Sequence, residues 1–294
     1  MATVYEIITD RMIKAITENN VLPWQKPWRA GRVALPYSAV SKKPYRGINV
    51  FMLLMAGFDC PQWATYKQIT EMGGTVKKGQ KGMPIVFWKL LDDKKEPSAA
   101  PEEISSADKH DRRLLRYYTV FNLSQTEGIE FDAGYNPVEN QIGPIEAAAR
   151  IVDGYKLAPA LTMGGSQAFY RPSTDTITMP DLDRWANPES FYGVLFHEMV
   201  HSTGHEKRLN REGITELSPF GSISYGKEEL TAEMGAAFLK AHAGITSADE
   251  FENSAGYVAN WLKCIKADPK LLIQAGGAAQ KAADHILGID WTQK

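Results

Sequence analysis

Five residues in the second half of the chain, His197-Glu198-Met199-Val200-His201, have the types and spacing to activate water on a metal ion. On an α-helix, residues four apart lie on one face, so both imidazoles can reach a single cation. Glu198 stands one position on, beside the ligands, where a carboxylate takes a proton from water and returns it to a leaving amine. The flanks suit a buried helix: Phe191-Tyr-Gly-Val-Leu-Phe196 leads into the motif, and Gly204 ends or bends the helix after it. A catalytic zinc takes three protein ligands and keeps a fourth position open. Two residues compete to be the third ligand. Glu229, in Lys227-Glu228-Glu229-Leu-Thr-Ala-Glu233, shares a helical face with Glu233, so one carboxylate binds metal while the other hydrogen-bonds a ligand imidazole. His205 lies four residues beyond His201, with Gly204 interrupting the face between them. The reading favours Glu229, with Glu233 behind a ligand ring and at least one of the three glutamates solvated. Two histidines and a carboxylate suit zinc best, with manganese or another divalent ion as alternatives.

Positioning these groups takes helices at about 188–203 and 226–243, supported by others at 145–155, 248–266 and 269–287. Two short strands, 167–171 and 175–179, are joined by Pro172-Ser-Thr-Asp. The first part of the chain is mixed. A helix is expected over 3–20 from the spacing of Tyr5, Ile8, Met12 and Ile16, another over 49–55, and a third beginning at Trp63. Strands at 75–79 and 84–91 follow, with 114–121 pairing back onto 84–91. Between them, 92–113 is charged and rich in Ser, Ala and Pro, and reads as a mobile loop. The whole is an α+β chain of two domains, residues 1–135 and 140–294, parted by a cluster of Gly and Pro near 134–143.

The net charge of −2 conceals an asymmetry: residues 1–91 hold 13 Lys and Arg against 5 Asp and Glu, a balance of +8. A polyanionic backbone is the usual partner of such a segment. Cys60 and Cys264 are the only cysteines and form no CxxC pattern, so neither a disulfide framework nor a thiolate zinc site is expected. No apolar run reaches the ~18 residues of a membrane span. The start of the chain lacks the pattern of a secretory signal, and a cytoplasmic setting is expected.

The run Phe196-His-Glu-Met-Val-His-Ser-Thr-Gly-His205, then Tyr225-Gly-Lys-Glu-Glu229-Leu-Thr-Ala-Glu233, resembles the zincin-like metallopeptidase domain of ArdC-type antirestriction proteins. Phe169-Tyr170-Arg-Pro-Ser-Thr-Asp175-Thr-Ile-Thr-Met-Pro180 is similar to the same family. The resemblance implies a helix-rich, gluzincin-like domain with a short β-sheet. It implies that Tyr170–Met179 holds an extended peptide by main-chain pairing. Tyr225 would stabilise a tetrahedral oxyanion, unless it is only a core aromatic at a helix entry.

Residues 1–130 resemble the family's N-terminal domain, which binds single-stranded DNA. The landmarks are Val21-Leu-Pro-Trp24-Gln-Lys-Pro-Trp28, Pro44-Tyr45-Arg46-Gly47-Ile-Asn49, Trp63-Ala-Thr-Tyr66-Lys67-Gln68 and Lys77-Lys78-Gly79-Gln-Lys81-Gly82. Aromatic faces stack on unpaired bases and cations meet phosphates. The expected contacts are Trp24, Lys26, Trp28, Arg29, Lys42, Lys43, Tyr45, Arg46, Asn49, Tyr66, Lys67, Lys77, Lys78 and Lys81. Trp63 and Trp88 are expected in the core. The function implied is protection of incoming plasmid or phage DNA from host restriction, either by shielding the DNA or by cutting a host protein at it. Two rivals stay open: a DNA-binding protein whose metal is structural, and an ordinary cytoplasmic peptidase with a basic interaction domain.

Overall fold

The structure, a computed structural model, describes residues 2–19, 22–24, 35–90, 113–131, 143–215, 223–245 and 255–290. The chain forms two compact units, one of residues 1–19 and 34–135, the other of 20–33 and 136–294. The segment 20–33, expected with the first unit, therefore goes with the second. The expected mobile loop, 92–113, lies almost wholly outside the described residues; only Arg113, the first residue of a strand, falls within them.

In the first unit, α1 (Val4–Asn19) opens on a reciprocal cap: the Glu6 N–H donates to Thr3 Oγ1 and the Thr3 N–H to Glu6 Oε2. Its buried stripe is Tyr5, Ile8, Met12 and Ile16, as the spacing predicts. Next come β1 (Tyr37–Ser38), α2 (Ile48–Leu54), β2 (Gln62–Thr65), α3 (Tyr66–Glu71), β3 (Thr75–Val76), β4 (Met83–Leu90), β5 (Arg113–Asn122) and β6 (Thr126–Glu127). The main sheet runs β1-β2-β5-β4, parallel at its first pair and antiparallel after it, while β3 pairs with β6. The helix expected from Trp63 starts later. Thr65 Oγ1 accepts the Gln68 N–H and the Gln68 side chain accepts the Thr65 N–H, so the cap fixes the start at Tyr66 and leaves Trp63 extended.

At the β4 edge, Asn49 gives its amide N–H to the Val86 carbonyl at 2.8 Å and takes the Val86 N–H at 2.7 Å. Pro84, two residues earlier on the same outward side, has no N–H to leave unmet. One side chain and one imino acid thus blunt an edge that would otherwise template another strand.

The second unit contains α4 (Pro144–Gly154), β7 (Ala160–Met163), β8 (Phe169–Arg171), β9 (Thr176–Met179), α5 (Pro188–Ser202), α6 (Glu212–Thr215), α7 (Ile223–Ala243), α8 (Ala255–Ala267) and α9 (Leu271–Leu287). Its sheet runs β7-β9-β8. The sequence reading did not anticipate β7, whose four residues are all exposed and show no alternation of apolar and polar faces. Helix α5 starts where Asn187 Oδ1 accepts the Ser190 N–H at 2.8 Å, with Pro188 at its first position. It buries Leu195, Phe196, Met199 and Val200, and α7 packs across it with Gly235 against Val200. Among the described residues no helix is long and apolar enough to cross a membrane.

The α5–α7 crossing is close because residue 235 has no side chain. A Cβ there would sit 2.7 Å from Val200 Cγ2 and 2.8 Å from its Cγ1. Valine is stiff about χ1 and cannot swing both methyls away. Gly235→Ala is expected to push the helices apart, destabilise the second unit by about 1–3 kcal/mol and weaken cation binding, measured by denaturant unfolding and by metal titration. An unchanged midpoint and affinity would show that the crossing tolerates the methyl.

Candidate metal centre

Helix α5 presents His197 and His201 one turn apart, their rings 4.7 Å between centroids and nearly perpendicular, at 79°. The Nε2 atoms face each other at 3.0 Å. From α7, Glu229 reaches both: Oε2 lies 3.6 Å from His197 Nε2 and Oε1 3.5 Å from His201 Nε2. The ligand atoms of these three residues all lie within 4.8 Å of one another. A tetrahedral ion with metal–nitrogen bonds of about 2.0–2.1 Å holds its ligand atoms roughly 3.3 Å apart, so the trio fits a divalent cation without rearrangement. His205, the rival third ligand, lies past the end of α5, where its Nδ1 accepts the Lys207 N–H at 3.2 Å.

His201 has a support. His201 turns its Nδ1 to Glu228 Oε1 at 3.2 Å, which leaves Nε2 for the metal. Arg211 grips Glu228 through both oxygens, Nε to Oε2 at 2.9 Å and Nη2 to Oε1 at 2.5 Å. Its guanidinium also donates to the Val200 carbonyl and the Thr203 hydroxyl at the end of α5. Burial works against charge on Glu228, but its hydrogen bonds with Arg211 and His201 and the charges of both together hold its carboxyl below the usual range. The sequence reading missed Arg211, which belongs to no motif, and did not assign Glu228 a role. None of the three glutamates is idle.

The proposed base, Glu198, is buried and accepts the backbone N–H of Tyr170 at 2.7 Å. That donor belongs to β8, which lies against α5. Tyr170 is itself anchored: its hydroxyl donates to Asp175 Oδ1 at 2.8 Å, and Asp175 is clasped by Arg208, which also donates to the Ser202 carbonyl. The expectation that Tyr170–Met179 as a whole pairs with a peptide needs correction. Strand β9 is central, bonded to β7 on one side and β8 on the other, so its main chain is already used. Among the described residues β8 is the edge of this sheet that lies against α5, and its outward N–H, that of Tyr170, is taken by Glu198.

Glu233 departs from its expected part behind a ligand imidazole. Its Oε2 accepts the indole N–H of Trp24 at 2.6 Å, and burial raises its pKa to about 7. Trp24, expected to stack on bases, is 4% exposed and meets Trp261 edge to face, so it offers no open ring. Lys26, Trp28 and Arg29 lie outside the described residues. Tyr225 lies in the first turn of α7, with its side chain outside the described part.

The other expected DNA contacts divide. Lys42, Lys43, Lys67, Lys77, Lys78 and Lys81 are exposed, with Lys67 near Glu71 and Lys77 Nζ on the Ser124 carbonyl. Tyr66 is open at 58% exposure, its ring edge-on to Phe121. Tyr45 and Arg46 are partly buried, and burial pushes the Tyr45 hydroxyl up to about 12. Asn49 spends one amide N–H and its carbonyl on the Val86 backbone, which turns it to the β4 edge. Trp63 is buried as expected. Trp88 is not: with Phe87, Tyr117 and Tyr118 it is exposed on the β4–β5 hairpin, where Phe87 and Tyr118 contact each other at 5.6 Å.

The pKa of His197 is raised to about 9: burial pulls it down, but the Glu229 hydrogen bond and the charges of Glu198, Glu229 and Glu233 outweigh that. A metal binds only the neutral ring, so binding below that pKa must expel one proton. Mn(II) affinity is therefore expected to climb by close to tenfold per unit from about pH 7 to about 9 and then level off. Titration calorimetry in buffers of different ionisation enthalpy checks both slope and proton release. A flat profile would mean that His197 is already neutral at pH 7.

Two family models match the chain: the N-terminal domain of anti-restriction factor ArdC over residues 2–121, and a zincin-like metallopeptidase over residues 147–279. Two DNA primases TraC of Escherichia coli are each 32% identical over 98% of this chain, which spans only 20% and 27% of their lengths. The protein y4eC of Sinorhizobium fredii is 35% identical over 96% of this chain and 91% of its own. The antirestriction ArdC protein of plasmid R388 is similar in structure, with TM-scores of 0.71 to its metal-free form and 0.73 to its Mn(II)-bound form. Both are 30% identical over 98% of each chain.

Proposed function

Because this chain belongs to the ArdC antirestriction family, we propose that it binds single-stranded DNA through its first unit and hydrolyses peptide bonds at a zinc site in its second. The outcome is protection of incoming plasmid or phage DNA from host restriction. The observation that carries the hydrolytic half is the convergence of His197, His201 and Glu229 beside a carboxylate, Glu198, held by a strand amide. A bound divalent ion supplies Lewis acidity and a water of lowered pKa. The protein supplies the rest. Glu198 accepts a proton and returns it to the leaving amine. The β8 edge, with its Tyr170 N–H on Glu198, is where an extended peptide from a host protein lies alongside the base. Zinc is the native ion on the chemistry of the donor set; the Mn(II)-bound relative shows that a site of this family takes a divalent ion.

Glu198→Gln keeps the Tyr170 hydrogen bond and removes the base. Any peptidase activity is expected to fall about 10²- to 10⁴-fold with the bound metal retained, measured by peptide cleavage and metal analysis. If Glu198→Gln also keeps full protection of transferred DNA, the metal is structural and proteolysis is not the means of protection.

The DNA half is supported by exposed lysines in the same unit as the Phe87, Trp88, Tyr117 and Tyr118 rings. These rings, not Trp24, are the faces open to bases. Phe87→Ala with Tyr118→Ala is expected to weaken oligonucleotide binding by about 1–3 kcal/mol per lost stack while leaving the salt slope unchanged. Fluorescence anisotropy across a salt series reads both. A changed slope with unchanged affinity at low salt would place the rings away from the strand.

A further inference from the structure

Trp24 was chosen by the sequence reading for a nucleic acid, and the structure puts it elsewhere. The chain leaves the first unit after residue 19 and rejoins it at 34, and the intervening segment belongs to the second unit. Within it, Leu22, Pro23 and Trp24 are buried. The Trp24 ring packs edge-on against Trp261, with centroids 6.3 Å apart, and its N–H points at Glu233 Oε2, 2.6 Å away. Glu233 sits one helical turn beyond Glu229 on α7, and its charge is felt at His197.

We propose that Trp24 is a positioning residue of the metal centre: its indole N–H holds the Glu233 carboxylate on the face of α7 that carries Glu229, so that its charge backs the ligand set. The physical case rests on two facts. A buried carboxylate without a donor is free to turn and is readily neutralised, and an N–H aimed at it opposes both, although burial still leaves the Glu233 pKa raised to about 7. Indole offers one donor on a rigid ring already clamped by a second indole, so little freedom remains to be lost. Outer hydrogen-bond partners of this kind typically change metal affinity 10- to 100-fold when removed. The metal centre thus includes a residue far outside the helix pair that supplies its ligands.

The proposal rests on His197, His201 and Glu229 being the ligands. Trp24→Phe in the full chain keeps an aromatic ring facing Trp261, removes the donor and leaves a small void where the larger indole sat. Mn(II) and Zn(II) affinities by calorimetry are expected to drop about tenfold. The thermal midpoint of the metal-free protein reads the packing cost of that void separately. In a Glu233→Gln background the charge is gone, and Trp24→Phe is then expected to add little. An equal loss in both backgrounds would mean that Trp24 acts by packing and not through the carboxylate, and would overturn the proposal, as would unchanged affinity in the single variant. Absence of metal binding by the wild-type chain would instead overturn the ligand assignment beneath it.

Discussion

A carboxylate taken out of water must meet a donor or a positive charge, or it loses several kcal/mol. Helix α7 brings three of them, Glu228, Glu229 and Glu233, toward one face of α5, and the second unit is arranged around satisfying each differently. Glu228 is answered by the Arg211 fork and an imidazole, Glu229 by the two facing ring nitrogens, Glu233 by an indole. The Gly235 crossing lets α7 come near enough for the middle carboxylate to reach both histidines. Arg211 closes the arrangement by bonding the Val200 carbonyl of α5 and the Glu228 carboxylate of α7 with one side chain.

Glu198, the proposed base, is fixed from the opposite direction. Glu198 takes its donor from β8, whose Tyr170 side chain is held through Asp175 by Arg208. Arg208 also grasps the Ser202 carbonyl, so the strand and the C-terminal end of the metal helix share one anchor. Two arginines three residues apart, in the turn after α5, thus steady the ligand side and the base side separately. A change at either is expected to act on the chemistry without touching the ion.

What the residues revealed beforehand follows from the range of the interactions. The metal helix was legible because its pattern is local: an i, i+4 histidine pair, an Asn-Pro start and a glycine just past its end. Glu229 was legible because it shares a face with Glu233. Arg211 and Arg208 were not, since a cation in a turn looks alike whether it is solvated or clasps a distant carboxylate. The Thr65–Gln68 cap was local and could have been read; without it, the helix was begun at Trp63. Trp88 was taken for core because its strand is apolar, but that strand ends in a two-stranded hairpin with rings open on both faces. Trp24, flanked by prolines and cations, looked like a surface residue, and nothing nearby announces a carboxylate 209 positions on.

That separation sets an order of events during synthesis. Trp24 leaves the ribosome 209 residues ahead of Glu233, which at about 5–20 residues per second is on the order of ten to forty seconds. The nascent chain completes its first unit within that interval, while the tryptophan inside that stretch still lacks its acceptor. The bond between Trp24 and Glu233 therefore closes only once α7 has been made, long after the tryptophan itself.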